Sequence, residues 1–132
     1  METPVKDIEN IDDIKKLVDT FYGKINVDPM LSPIFNKVAN VDWDTHLLKM
    51  YEFWNMIIFG ARNYQGSPMG IHIHLSTLTT MHQEQFEQWK KLFFETLDEL
   101  FVGTNADEAK KRATTIASTM QHKIKNLEQK AL

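Results

Sequence analysis

The chain has 132 residues, of which 42% are hydrophobic and 25% are charged, and its formal net charge is −3. This length suffices for one domain with a buried core, so residues 1–132 are expected to form a single domain. The lysines are scattered, which gives no indication of a nucleic acid or an anionic membrane as partner. The sequence contains no cysteine, which excludes disulfides, zinc–thiolate sites, iron–sulfur clusters and haem attached through Cys-x-x-Cys-His.

The N-terminal stretch METPVKDIENIDD is acidic and lacks the apolar core of a secretory signal. No apolar run in the sequence approaches the length that crosses a bilayer. A cytoplasmic location is therefore the expectation.

The first predicted element is an amphipathic helix that starts near Ile11, after Asn10 and among aspartates suited to a helix N-terminus. Tyr22 is expected at the edge of its apolar face. The face recurs at steps of three and four residues: Ile14, Leu17, Val18, Phe21, Tyr22 and Ile25. The following stretch NVDPMLSPIFN contains two prolines and little periodicity, which predicts a turn or a short tight helix.

A second helix is predicted from about Asp44 to Phe59, opened by Asp42 or Asp44 and closed by Gly60. Apolar residues cover more than one of its faces, so burial on two sides is expected. His46 falls within a narrow stripe that continues through Met50, Phe53 and Ile57. The next stretch, GARNYQGSPMG, is predicted to be a loop.

Two more helices complete the chain. The third runs from about Gln83 to near Gly103, and the fourth from about Asn105 to Gln129. Thr104 or Asn105 is expected to cap the fourth helix, and its small alanines should allow a neighbouring helix to approach closely. The pattern predicts an all-α domain of layered helices.

Metal-binding candidates begin with His72 and His74, in the stretch GSPMGIHIHL. On a helix, side chains two residues apart point about 200° from each other, so these two could not share one ion. Spacing alone does not decide which of them faces the interior. For His46, a buried histidine bonded to a backbone carbonyl is a commoner explanation than a functional one.

Five stretches, in order along the chain, match a known family. They are FYGKINVDPMLSPIFN (21–36), DWDTHLLKMYEFW (42–54), YQGSPMGIH (64–72), FEQWKKLFFETLDELFVG (86–103) and AKKRATTIASTMQHKI (109–124). With these stretches the sequence resembles the truncated haemoglobins, and among them it is most similar to group III. The resemblance implies a two-over-two helical sandwich around haem.

The resemblance also implies roles for individual residues. His72, four residues after the proline of YQGSP, corresponds to the iron ligand, with His74 as the competing alternative. On the opposite, distal side of the haem, Tyr22, His46 and Trp89 correspond to the residues that contact the bound gas. The residues expected to contact the haem itself are Phe35, Met50, Trp54, Phe93 and His72.

The implied cofactor is a non-covalently held b-type haem, whose iron binds O₂, CO, NO or similar small ligands. Redox chemistry on the ligand, such as nitric oxide or peroxide detoxification, is the first functional hypothesis, and it needs an unidentified reductase. The second is a gas sensor or ligand-storage module without turnover. The third is a haem-free helical interaction protein, in which His46 and Trp89 only fill the core.

Overall fold

The computed structural model describes residues 6–33, 42–60 and 83–131. Within these ranges the chain forms four α-helices and no strand, as the sequence predicts. They are α1 (Ile11–Val27), α2 (Trp43–Phe59), α3 (Gln83–Leu100) and α4 (Thr104–Ala131). None of these described helices has the length and apolar character needed to cross a membrane.

Helix α1 begins where the sequence predicts, because the Asn10 side chain accepts a hydrogen bond from the Asp13 N–H at 3.0 Å. Beyond its end, the Asp28 carboxylate accepts hydrogen bonds from the N–H groups of Met30 and Leu31, at 3.0 and 2.9 Å. This closes a turn in the proline-containing segment. Asp28 also accepts a 2.8 Å hydrogen bond from Gln88, which fixes the turn against α3.

Helix α2 begins after Asp42 and ends at Gly60, as predicted. Gly60 has a φ of 71°, in the left-handed region, and its N–H donates to the Met56 carbonyl at 2.9 Å. The Asp42 carboxylate accepts a hydrogen bond from the Thr45 hydroxyl at 3.0 Å rather than from a backbone N–H.

The helices pack as two pairs. Helix α1 contacts α2 and α3, and α4 contacts α3 and α2, so α2 packs against two other helices. Buried aliphatic and aromatic side chains form a core between the helices. Each large apolar side chain stabilises the folded state by roughly 1.5–3 kcal/mol when it is fully buried. Helix α4 approaches closely because its inward residues are small: Ala106, Ala109, Ala113 and Ala117.

The start of α4 differs from the prediction. Its first-turn N–H groups, those of Asn105 and Ala106, donate to the Asp7 carboxylate at 2.8 and 2.9 Å. The Asn105 side chain instead donates to the Ile8 carbonyl at 2.7 Å. The predicted cap at Thr104 or Asn105 is therefore wrong, because an acidic residue from the other end of the chain supplies the acceptor and complements the helix dipole.

Gly103 allows this contact between the N-terminal segment and the α3–α4 corner. Its φ is 144°, and a Cβ atom built on it would lie 2.5 Å from the Asp7 Cγ. Next to it, the Val102 N–H donates to the Lys6 carbonyl at 2.9 Å. A side chain at position 103 would thus push the capping carboxylate away from α4.

Candidate functional site

Tyr22 of α1 is buried, with 5% of its surface exposed, although the sequence placed it at the edge of the apolar face. Its ring centroid lies 4.9 Å from that of Phe21, 5.0 Å from that of His46 and 5.4 Å from that of Trp43. Burial raises the pKa of the Tyr22 hydroxyl well above its ordinary value, because the phenolate would lose its hydration. The group therefore stays protonated and able to donate a hydrogen bond.

His46 of α2 is the buried imidazole beside Tyr22. The two rings meet edge to face at 85°, and His46 meets Trp43 in the same way, at 5.7 Å and 87°. Trp43 lies three residues before His46, a spacing that places both on one side of α2. This spacing is the signal that could have added Trp43 to the predicted site.

Trp89 of α3 is linked to Tyr22 and His46 by contacts with other aromatic rings. It is half-buried, stacks on Phe93 at 5.7 Å with planes 5° apart, and meets Phe21 edge to face at 5.6 Å. Since Phe21 also contacts Tyr22, it links the α3 tryptophan to the α1 tyrosine. Phe21 was overlooked as a site residue because it looks like any other residue of the α1 apolar face.

The expected haem-contacting residues in the described part of the chain are Met50, Trp54 and Phe93. All three are buried in the core. Trp54 stacks on Phe93 at 4.9 Å with planes 24° apart, and Phe53 packs beside Trp54 at 5.2 Å. Pairs of this kind contribute about 0.5–1.5 kcal/mol each beyond area burial, so they fix the positions of α2 and α3.

Phe35, His72 and the alternative ligand His74 lie outside the described residues. Their assignments stay predictions. The structure brings Tyr22 and His46 into direct contact and joins Trp89 to them through Phe21.

A pocket of about 340 Å³ lies between α1 and α2, with Tyr22 in its lining. Its lining includes Asp19, Asn26, Trp43 and Tyr51 as well as Tyr22. The Tyr51 hydroxyl donates a hydrogen bond to the Asp19 carboxylate. Partial burial, together with this hydrogen bond and the negative charge of Asp19, raises the pKa of Tyr51 to about 12.

The donor set of the described residues fits haem better than a metal ion held by protein alone. In ranges 6–33, 42–60 and 83–131, no group of three or more His, Asp or Glu side chains could hold an ion. The same residues offer buried apolar and aromatic side chains around a hydroxyl, an imidazole and an indole N–H. A planar apolar group that carries its own iron ligands suits such a lining and needs few from the protein.

Comparison with known proteins identifies the family. The model for the family described as bacterial-like globin matches residues 7–126. The chain belongs to this family. Over 118 residues this globin is 34% identical to the group 3 truncated hemoglobin ctb of Campylobacter jejuni, covering 87% of the chain and 91% of that protein.

The fold agrees with the same relationship. The globin superposes on the crystal structure of a group III truncated hemoglobin from Campylobacter jejuni with a TM-score of 0.76 at 34% identity. The match covers 88% of this chain and 91% of that one. The predicted truncated globin fold and the resemblance to group III are both confirmed. Membership implies a haem cofactor and supports the binding of small diatomic gases such as O₂.

Proposed function

We propose that this globin binds O₂ and other diatomic ligands at a non-covalently held b-type haem with His72 as iron ligand. We further propose that it carries out redox chemistry on the ligand, in nitric oxide or peroxide detoxification. The observation that supports this most is the buried contact between the Tyr22 and His46 rings, at 5.0 Å. Phe21 connects the Trp89 indole to that pair.

When bound, haem supplies an iron with an open position for a diatomic molecule. The residues of this chain then act by hydrogen bonding and by excluding water. The Trp89 indole N–H can only donate a hydrogen bond, and the Tyr22 hydroxyl is expected to act as a donor. The His46 imidazole can donate or accept. Met50, Trp54 and Phe93 keep the surroundings apolar, which strengthens every polar contact that a ligand makes there.

Strong donors favour chemistry on the ligand over its delivery. Haem iron would supply electron density to O₂, so the Tyr22 and Trp89 donors would face partly negative oxygens. A hydrogen bond to a charged group is worth roughly 1.5–3 kcal/mol, and about 1.4 kcal/mol is a factor of ten. Two donors would therefore hold O₂ long enough for a second reactant to arrive, while a separate reductase supplies electrons.

Stopped-flow displacement of O₂ tests this proposal. Tyr22→Phe and Trp89→Phe should each release O₂ about ten times faster than the wild type, because each loses one donor. CO is much less polar, so its dissociation should change little. Tyr51→Phe is the matched control, since it removes a hydroxyl that is bonded to Asp19, and its O₂ release should equal that of the wild type.

Three outcomes would count against the proposal. Fast O₂ release in the wild type, or equal effects of the substitutions on O₂ and CO, would remove the role of the donors. Slow release without consumption of nitric oxide or peroxide, in the presence of a chemical reductant, would favour the gas-sensor or ligand-storage alternative.

A further inference from the structure

The pocket between α1 and α2 is partly open and large enough to admit a small molecule. Its volume of about 340 Å³ lies within the range of small ligand pockets. We propose that it binds a small organic cation of the ammonium class. The pocket shares Tyr22 with the proposed gas site, but its test measures binding of the cation and not chemistry on the haem ligand.

Aromatic rings form the walls. Tyr22, Trp43 and Tyr51 all line the pocket, and the first two rings meet at 5.4 Å with planes inclined by 62°. The faces of such rings are electron-rich and attract ammonium groups, tryptophan most strongly. Tyr51 already shows this preference, because the Lys15 ammonium lies 5.9 Å from its ring centroid.

The polar part of the lining has the complementary charge. Asp19 supplies a carboxylate that accepts a hydrogen bond from Tyr51 and is exposed at the pocket, and Asn26 adds a side-chain amide. An anion would meet both this carboxylate and the ring faces, so it is disfavoured. Lys15 brings a positive charge to the Tyr51 ring, where it competes with a bound cation.

Choline is a suitable probe, and its uncharged isostere 3,3-dimethylbutan-1-ol is the matched control because it has the same shape. Both are titrated into the full-length, haem-loaded ferrous CO protein, with NMR detection of the Trp43 indole and of the Asp19 and Asn26 amides. We expect saturable shifts with choline and an affinity at least about fivefold higher than that of the alcohol, as a cation–π contact predicts. Equal affinities for the two probes, or no saturable shift with choline, would overturn the proposal.

Variants locate the site. Asp19→Asn should weaken choline binding about threefold or more by removing a nearby charge. Asp12→Asn makes the same change at an exposed α1 position that is not part of the pocket lining, and it should leave binding unchanged. Lys15→Gln should tighten binding by removing the competing ammonium. Both carboxylate variants, Asp19→Asn and Asp12→Asn, change exposed residues and keep the core intact. Equal choline affinity in these two variants would contradict the proposal.

Discussion

At the scale of single residues, burial gives Tyr22 and His46 different capacities although their rings touch. Desolvation disfavours the phenolate and raises the Tyr22 pKa, so this hydroxyl remains a donor throughout the physiological pH range. The imidazole of His46 carries one nitrogen that can donate and one that can accept. The pair thus combines a fixed donor with a group that can adapt to the ligand.

His46→Leu tests the role of this adaptable group. Removing the imidazole while keeping an apolar side chain should change CO and O₂ association rates by about fivefold, the effect of roughly 1 kcal/mol on a barrier, with little loss of haem. Flash photolysis measures the rates. Leu48→Ala, at an exposed position on the same helix, is the control. Association rates equal to those of the wild type would make His46 a core residue only.

The identity of the iron ligand is a second question at this scale. His72→Ala should lose stable haem, and His74→Ala should keep it, because side chains two residues apart on a helix point about 200° from each other. The Soret absorbance of the purified proteins measures retention. Free imidazole should restore the absorbance of His72→Gly. If instead the His74 variant loses haem and the His72 variant keeps it, the assignment to His72 is wrong.

At the scale of elements, some helix ends are capped by residues adjacent in sequence, and one is capped by a residue far away in sequence. Asn10 caps the helix that follows it directly, and Gly60 closes the helix that precedes it. Both are visible in the sequence. The acceptor for α4 is Asp7, 98 residues before Asn105, so no local pattern could indicate it.

Substitution of two glycines should have opposite effects on stability. Gly103→Ala should destabilise by about 2 kcal/mol or more, because of its positive φ and the 2.5 Å approach to Asp7. Gly23→Ala should stabilise by about 0.5–1 kcal/mol, since it lies within α1 and its added Cβ meets nothing within 4 Å. Urea unfolding measures both. A Gly103 variant as stable as the wild type would show that the α3–α4 corner accommodates the added Cβ without loss of stability.

Removing the capping carboxylate tests the same contact from the other side. Asp7→Ala should cost about 1 kcal/mol, the usual effect of losing a helix cap. Asp7→Asn keeps an oxygen acceptor and should cost less. Equal losses in the two variants would assign the effect to charge rather than to the hydrogen bonds.

At the scale of the whole molecule, the candidate site exists only because three helices converge. Helices α1, α2 and α3 each contribute one polar group, and the contacts of α1 with both α2 and α3 bring them together. If haem occupies this convergence, it should also stabilise the fold, because a ligand that binds only the folded state shifts the unfolding equilibrium.

Adding haem to the haem-free protein should therefore raise its Tm, by the equivalent of about 2.7 kcal/mol at a free concentration one hundred times the Kd. Calorimetry measures the shift, and iron-free protoporphyrin should stabilise less because it lacks the metal–ligand bond. Acid butanone should extract the haem, since the chain has no cysteine for a covalent link. Without a Soret band or a shift in Tm, the haem-free interaction protein would be the better hypothesis.

The sequence alone predicts the four helices well, because their apolar residues recur at steps of three and four. It does not predict which side chains of one helix contact which side chains of another. The α1 pattern places Tyr22 at the edge of the apolar face, yet the rings of Trp43 and His46 in α2 pack against it. The resemblance named Tyr22, His46 and Trp89, whereas Phe21 and Trp43 were overlooked because a ring on an apolar face resembles ordinary core.

The contact between Asp7 and α4 has a consequence for how the protein is made. Synthesis on the ribosome produces Asp7 long before Asn105, so the N-terminal segment must wait for its partner until most of the chain has been translated. The first turn of the last helix is then completed by one of the earliest residues made. A purification tag joined next to this segment could interfere with that step, so tags on this protein are better placed away from Asp7.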